Sequence, residues 1–89
     1  MALVYYVYII ESESLGNWYY GSSQNPYARL EQHNANTNLS TKKRGPWKLI
    51  FIRNFDNKKE ALLFEQQLKK WRNKKFIQQQ FKEFFLSVG

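Results

Sequence analysis

Apolar residues occupy both alternating faces of the stretch Leu3 to Ile10 (LVYYVYII), a run of β-branched and aromatic side chains. Such a run predicts a strand covered on both sides. The polar segment at 11–17 (ESESLGN) contains Gly16-Asn17, and WYYGSS at 18–23 returns to strand composition, so the two runs read as a hairpin. Asn25 followed by Pro26 has the form of a helix N-cap with proline at the first helical position, where its missing amide hydrogen costs nothing. This predicts a short helix from Pro26 to about Asn34. Residues 34–46 are polar and basic, lack apolar periodicity and end in Gly45-Pro46, which predicts a loop. Trp47 to Phe55 (WKLIFIRNF) reads as a third strand. After a turn at Asp56-Asn57, Ala61, Phe64, Leu68 and Trp71 recur at helical spacing on one stripe. A final amphipathic helix is expected from Phe76 to about Leu86. The predicted fold is α/β of the α+β type: a small, three-stranded, mainly antiparallel sheet flanked by helices in the order β-β-α-β-α-α.

The chain has 89 residues, which suits one domain with one modest core, expected to span 1–89. It has no cysteine and one histidine, so a disulfide framework, a thiolate metal site and a zinc cluster are not expected. Its longest apolar run is far shorter than a membrane span, and the expectation is a soluble, cytoplasmic protein with no membrane partner. Fourteen Lys and Arg against seven Asp and Glu give a net charge of +7, which points to a polyanionic partner. Arg29 is the one basic residue before position 42. The others cluster, notably at Lys42, Lys43, Arg44 and Lys48 and again at Lys69, Lys70, Arg72, Lys74 and Lys75, and these are the candidate contacts to nucleic-acid phosphates. A charged face that serves only solubility is the alternative. The abundant aromatic residues are expected mostly in the core, where strands favour them.

Hydrolysis of a phosphodiester needs a group to activate water, a cation for the phosphoryl oxygens and, in many enzymes, a metal. Phosphate-loop, dinucleotide and nucleophile-elbow patterns are absent. What remains is Tyr8, Tyr19, Arg29, His33 and Glu65. Tyr8 and Tyr19 lie symmetrically about a point between Glu13 and Ser14. A hairpin centred there, without bulges, makes them direct cross-strand neighbours on one face. Arg29 and His33, four apart, share one face of the first predicted helix. Glu65 falls between Ala61 and Leu68 on the apolar side of the second, where a carboxylate requires a metal, an arginine or water. Core tyrosines, and a structural Arg29–Glu65 ion pair, are the readings without chemistry.

YVYII at 6–10, YYG at 19–21 and YARLEQH at 27–33 resemble the GIY-YIG nuclease superfamily, and KRGPWKLIF at 43–51 and EALLFEQQLKKWRNKKFI at 60–77 resemble the latter half of its short, single-domain members. Tyr8 matches the tyrosine of the first signature element and Tyr19 the first tyrosine of the second, eleven residues on. Arg29 matches the catalytic arginine, His33 a position held by histidine or tyrosine, and Glu65 the metal-ligating glutamate. Tyr6, Val7 and Tyr20 stand where the signature has glycine and two isoleucines.

The resemblance implies a divalent-metal-dependent endonuclease with Mg²⁺ or Mn²⁺ on Glu65. Tyr19, helped by Tyr8 or His33, would activate water, and Arg29 would neutralise phosphoryl charge, leaving a 5′-phosphate and a 3′-hydroxyl. DNA is the expected substrate over RNA, chosen by structure such as a branch or nick, in repair or recombination. The larger relatives attach a separate DNA-binding domain, and none is recognised here. Targeting is therefore expected to come from the basic second half or from a protein partner, and the chain is expected to be a monomer or weak dimer. The alternative is a binding module that keeps the fold without cleaving.

Overall fold

The computed structural model describes residues 4–35 and 44–86. Its order is β1 (Tyr5–Ser12), β2 (Trp18–Ser23), α1 (Pro26–Asn34), β3 (Trp47–Phe55), α2 (Lys58–Trp71) and α3 (Lys74–Gln80), followed by a 3₁₀ turn at Lys82–Phe84. The three strands form one antiparallel sheet in the order β2-β1-β3. This is the expected α+β arrangement. Among the described residues, no helix is long and apolar enough to cross a membrane.

The central strand explains the double-sided apolar run. Val7 and Ile9 point into one core with Phe51, Ala61, Leu68 and Ile77, beneath α2 and α3. Tyr8 and Ile10 point the other way, into a second cluster with Trp47, covered in part by Tyr19 and Leu30. Period-2 alternation thus assigns Tyr6 and Tyr8 of the LVYYVYII run to the face that carries α1 and Tyr5 to the other. A bulge at Ile50 sits between the Ile9–Phe51 and Ile10–Leu49 pairs, letting β3 serve both clusters.

Asparagine opens all three helices. The Oδ1 atoms of Asn25, Asn57 and Asn73 accept from the amides of Ala28, Glu60 and Phe76 at 3.2, 2.9 and 3.0 Å, satisfying donors that the first helical turn leaves over. The last residue of α1 has a second use. Asn34 accepts from the Trp47 amide at 2.6 Å and donates to the Trp47 carbonyl at 2.9 Å, tying the end of α1 to the start of β3.

Two expectations are corrected. The hairpin is centred one residue later than its symmetry predicted, between Ser14 and Leu15, so Tyr8 faces Gly21 and Tyr19 faces Ile10. The cause is the turn: Gly16 takes a left-handed φ of +78°, its amide donates to the Ser12 carbonyl at 2.8 Å, and the Ser12 amide donates to the Asn17 carbonyl at 2.8 Å. Because the shift moves each strand by one position relative to the turn, the two tyrosines keep a common face as diagonal neighbours. The last helix is also shorter than expected and begins earlier. The chain leaves α3 at Phe81 so that Phe85 bridges to Phe51 and the Leu86 amide donates to the Ile50 carbonyl at 2.9 Å. β3 is an edge strand, and pairing its exposed backbone outweighs a further helical turn.

Candidate active site

His33 lies between the two tyrosines. The Tyr8 hydroxyl and His33 Nε2 are 3.1 Å apart, and the His33 ring is 4.8 Å from the Tyr19 ring, centroid to centroid. Tyr8 and His33 are each 1% exposed, whereas Tyr19 is only half-buried and meets solvent. Burial raises the Tyr8 pKa above its ordinary value of 10.0, against the pull of the adjacent Arg29 guanidinium. Burial lowers that of His33 below 6.5, and the Arg29 charge lowers it further. At neutral pH the contact therefore joins a neutral phenol to a neutral imidazole, and the imidazole tautomer sets which of the two donates.

The close approach at Tyr8 depends on a residue to which sequence reading assigned no role. Gly21 sits opposite Tyr8 in the register, and a Cβ added there would fall on the phenol ring and hydroxyl. The YYG element supplies glycine where the phenol needs the space. Its role becomes visible only once the register is known.

Arg29 stands one turn before His33 on α1. Its Nη1 donates to Gln32 Oε1 at 3.1 Å, while its Nε is buried without a hydrogen-bond partner. Beside it opens a cleft of about 500 Å³, lined by Tyr5, Ser22, Ser23, Asn25, Arg29 and Gln32 among others, with no carboxylate among the described residues. A guanidinium lining such a cleft suits an anionic oxygen.

Glu65 belongs to α2, yet its charge is felt at Tyr8, where with Tyr19 it opposes ionisation of the phenol. Its side chain is only 12% exposed, and its partner is Lys69, with Nζ 2.8 Å from Oε2. The ion pair considered for Glu65 from sequence had Arg29 as partner; the pair formed is with the lysine one turn on. No group of three or more His, Cys, Asp or Glu side chains clusters among the described residues. A cation on Glu65 would complete its shell with water and substrate oxygens, as Mg²⁺ commonly does.

The basic residues divide. Lys42 and Lys43 lie outside the described residues, and Arg44 is exposed before β3. Lys48 pairs with Glu11 at 3.5 Å, and Lys74 donates to the Gly16 carbonyl at 2.7 Å with its ammonium 5.2 Å from the Trp18 ring centroid. Lys70, Arg72 and Lys75 are exposed around the α2–α3 joint.

Arg29 lines a cleft free of acidic residues, with the buried Tyr8–His33 pair and the Tyr19 ring packed behind it. Residues 4–79 match the family described as the GIY-YIG catalytic domain, and the chain belongs to that family, within the GIY-YIG nuclease superfamily. Among similar proteins, a structure-specific endonuclease subunit SLX1 homolog of Drosophila mojavensis is 38% identical over 71 residues, covering 68% of this chain and 23% of that protein. SLX1 of Meyerozyma guilliermondii is 42% identical over 71 residues, covering 72% and 24%. The chain thus spans about a quarter of the length of these two relatives. The UPF0213 protein BH0048 of Halalkalibacterium halodurans is 33% identical over 66 residues, covering 73% of this chain and 69% of that one. Its solution NMR structure superposes with a TM-score of 0.54 at 29% identity, over 89% and 83% of the two chains.

Proposed function

We propose that this chain is a divalent-metal-dependent endonuclease that hydrolyses phosphodiester bonds in DNA, selecting its substrate by structure. The observation that carries the reading is the Tyr8–His33–Tyr19 group, with the Arg29 guanidinium beside Tyr8 and lining an open cleft. Kinship with SLX1, named a structure-specific endonuclease subunit, supports a structured DNA substrate and a protein partner that supplies targeting.

Exposure sorts the roles. Tyr19 reaches solvent and is the group that meets the attacking water, while Tyr8 and His33 stand behind it. A neutral phenol takes a proton from water only as it gives up its own, and the neutral His33 ring lies against Tyr19 as the base within reach. Arg29 holds the non-bridging phosphoryl oxygens and compensates the charge that builds there. Glu65 would hold the Mg²⁺ or Mn²⁺, which when bound supplies positive charge for the phosphate and the leaving oxygen. The products are a 5′-phosphate and a 3′-hydroxyl. Lys70, Arg72 and Lys75 contact neighbouring phosphates without reading bases.

Incubation with supercoiled plasmid and with a branched duplex, in Mn²⁺ or in EDTA, tests this reading. Mn²⁺-dependent cleavage, faster on the branched substrate, is expected. Binding of both DNAs without cleavage of either would replace the enzyme with a non-catalytic binding module.

A further inference from the structure

We propose that Lys69 is a displaceable counter-ion on Glu65, leaving the carboxylate when a divalent cation binds and then serving a substrate phosphate. The inference rests on the reading of Glu65 as the cation ligand. Ala61 and Leu68, flanking Glu65 on α2, are both fully buried, and the Glu65 side chain is 12% exposed. A carboxylate so placed is costly without a cation. Lys69 answers that need from one turn away, at 2.8 Å, with a side chain 53% exposed. The pair is therefore asymmetric: the carboxylate is held in the protein, while the ammonium has water to retreat to at little cost.

A hard divalent cation binds through direct contact with carboxylate oxygen, and Oε2 is the oxygen that Lys69 occupies. Ammonium and metal cannot share it without repulsion, so the lysine swings away. The change in charge is what gives the exchange a use. Glu65 and Lys69 together are neutral, whereas Glu65 with a divalent cation and a released Lys69 carry two positive charges. The site then attracts a phosphodiester strongly only when it is loaded, and metal and nucleic acid favour each other's binding by the same factor. Lys69 is followed by the exposed Lys70, Arg72 and Lys75, so a released ammonium joins a run of cations available to a phosphate backbone.

The test is a Mn²⁺ titration of the full chain without nucleic acid, followed by the electron paramagnetic resonance signal of free Mn²⁺. The proteins are wild type, Lys69→Met, Lys69→Arg and Glu65→Gln, each shown by thermal melting in EDTA to be folded. Removing a competing, half-exposed ammonium should tighten Mn²⁺ binding by about two- to fivefold in Lys69→Met. Lys69→Arg, which keeps a counter-ion, should bind no tighter than wild type, and Glu65→Gln should lose the site. If Lys69→Met binds like wild type or more weakly while Glu65→Gln loses the site, the counter-ion role is overturned and Glu65 stands as ligand. Unchanged binding in Glu65→Gln would overturn both.

Discussion

Replacing Gly21 with alanine puts one methyl group where the Tyr8 phenol lies. Tyr8 is 1% exposed and packed with Ile10 and Trp47, so its ring has no open side to move toward. Overpacking a site of this kind by a methyl costs about 1–3 kcal/mol, and loss of the Tyr8–His33 hydrogen bond adds about 1 kcal/mol. A total near 2–4 kcal/mol should lower the melting temperature of a domain this size by ~10 °C or more. Displacement of Tyr8 also frees His33 from its position against Tyr19, and cleavage should fall by about tenfold or more, as expected when catalytic groups move by an ångström. Gly16→Ala is the matched control, because nothing lies within 4 Å of the added atom and only the left-handed φ of +78° is penalised. It should cost about 1 kcal/mol and leave cleavage unchanged. Urea denaturation and single-turnover cleavage on the two variants decide the matter. A Gly21→Ala protein that unfolds and cleaves like wild type would show that the phenol does not depend on that space.

Arg29→Lys should fold normally yet lose at least about tenfold in cleavage, since an ammonium cannot reproduce the planar contact to two phosphoryl oxygens; a wild-type rate would make Arg29 structural. His33 gives stability a pH dependence of definite sign. Its pKa is held below 6.5 in the fold, so below that pH the unfolded chain takes up a proton that the folded one refuses, and stability is lost there as the pH is lowered but not above it. Urea midpoints at pH 7.5 and 5.5 should show this slope reduced in His33→Gln, and an equal slope in both proteins would contradict it. DNA affinity should fall steeply between low and physiological salt, with a shallower slope when Lys70, Arg72 and Lys75 are replaced by glutamine; identical slopes would place the interface elsewhere.

Much of the fold could be read from local pattern because local physics sets it. The double-sided run of β1 needs two cores whatever covers it, and Asn25-Pro26 opens a helix through its own side chain and ring. The register of the hairpin was not readable in this way. It depends on a left-handed Gly16 that fixes the centre of the turn, and the position of Gly21 beneath Tyr8 follows from that register. The end of α3 escaped for a different reason. Phe81, Phe84 and Phe85 have helical spacing, but the unpaired edge of β3, distant in sequence, draws Phe85 and Leu86 into pairing. At the site, helical spacing placed Arg29 and His33 together and put Glu65 on a buried side. It did not reveal that Lys69 would answer the carboxylate, because lysines one turn from a glutamate are ordinary on helix surfaces and only the burial of Glu65 gives this one meaning.

Glu65→Gln tests the central claim most directly, since it keeps size and hydrogen-bonding capacity while removing the charge a hard cation requires. One preparation should be measured for melting temperature, for DNA affinity in EDTA and for cleavage of a branched duplex in Mn²⁺. A folded protein that binds DNA as wild type does and has lost metal-dependent cleavage is the expected result. A variant that retains full Mn²⁺-dependent cleavage, whatever its melting temperature, would contradict the assignment of Glu65 and the mechanism built around it.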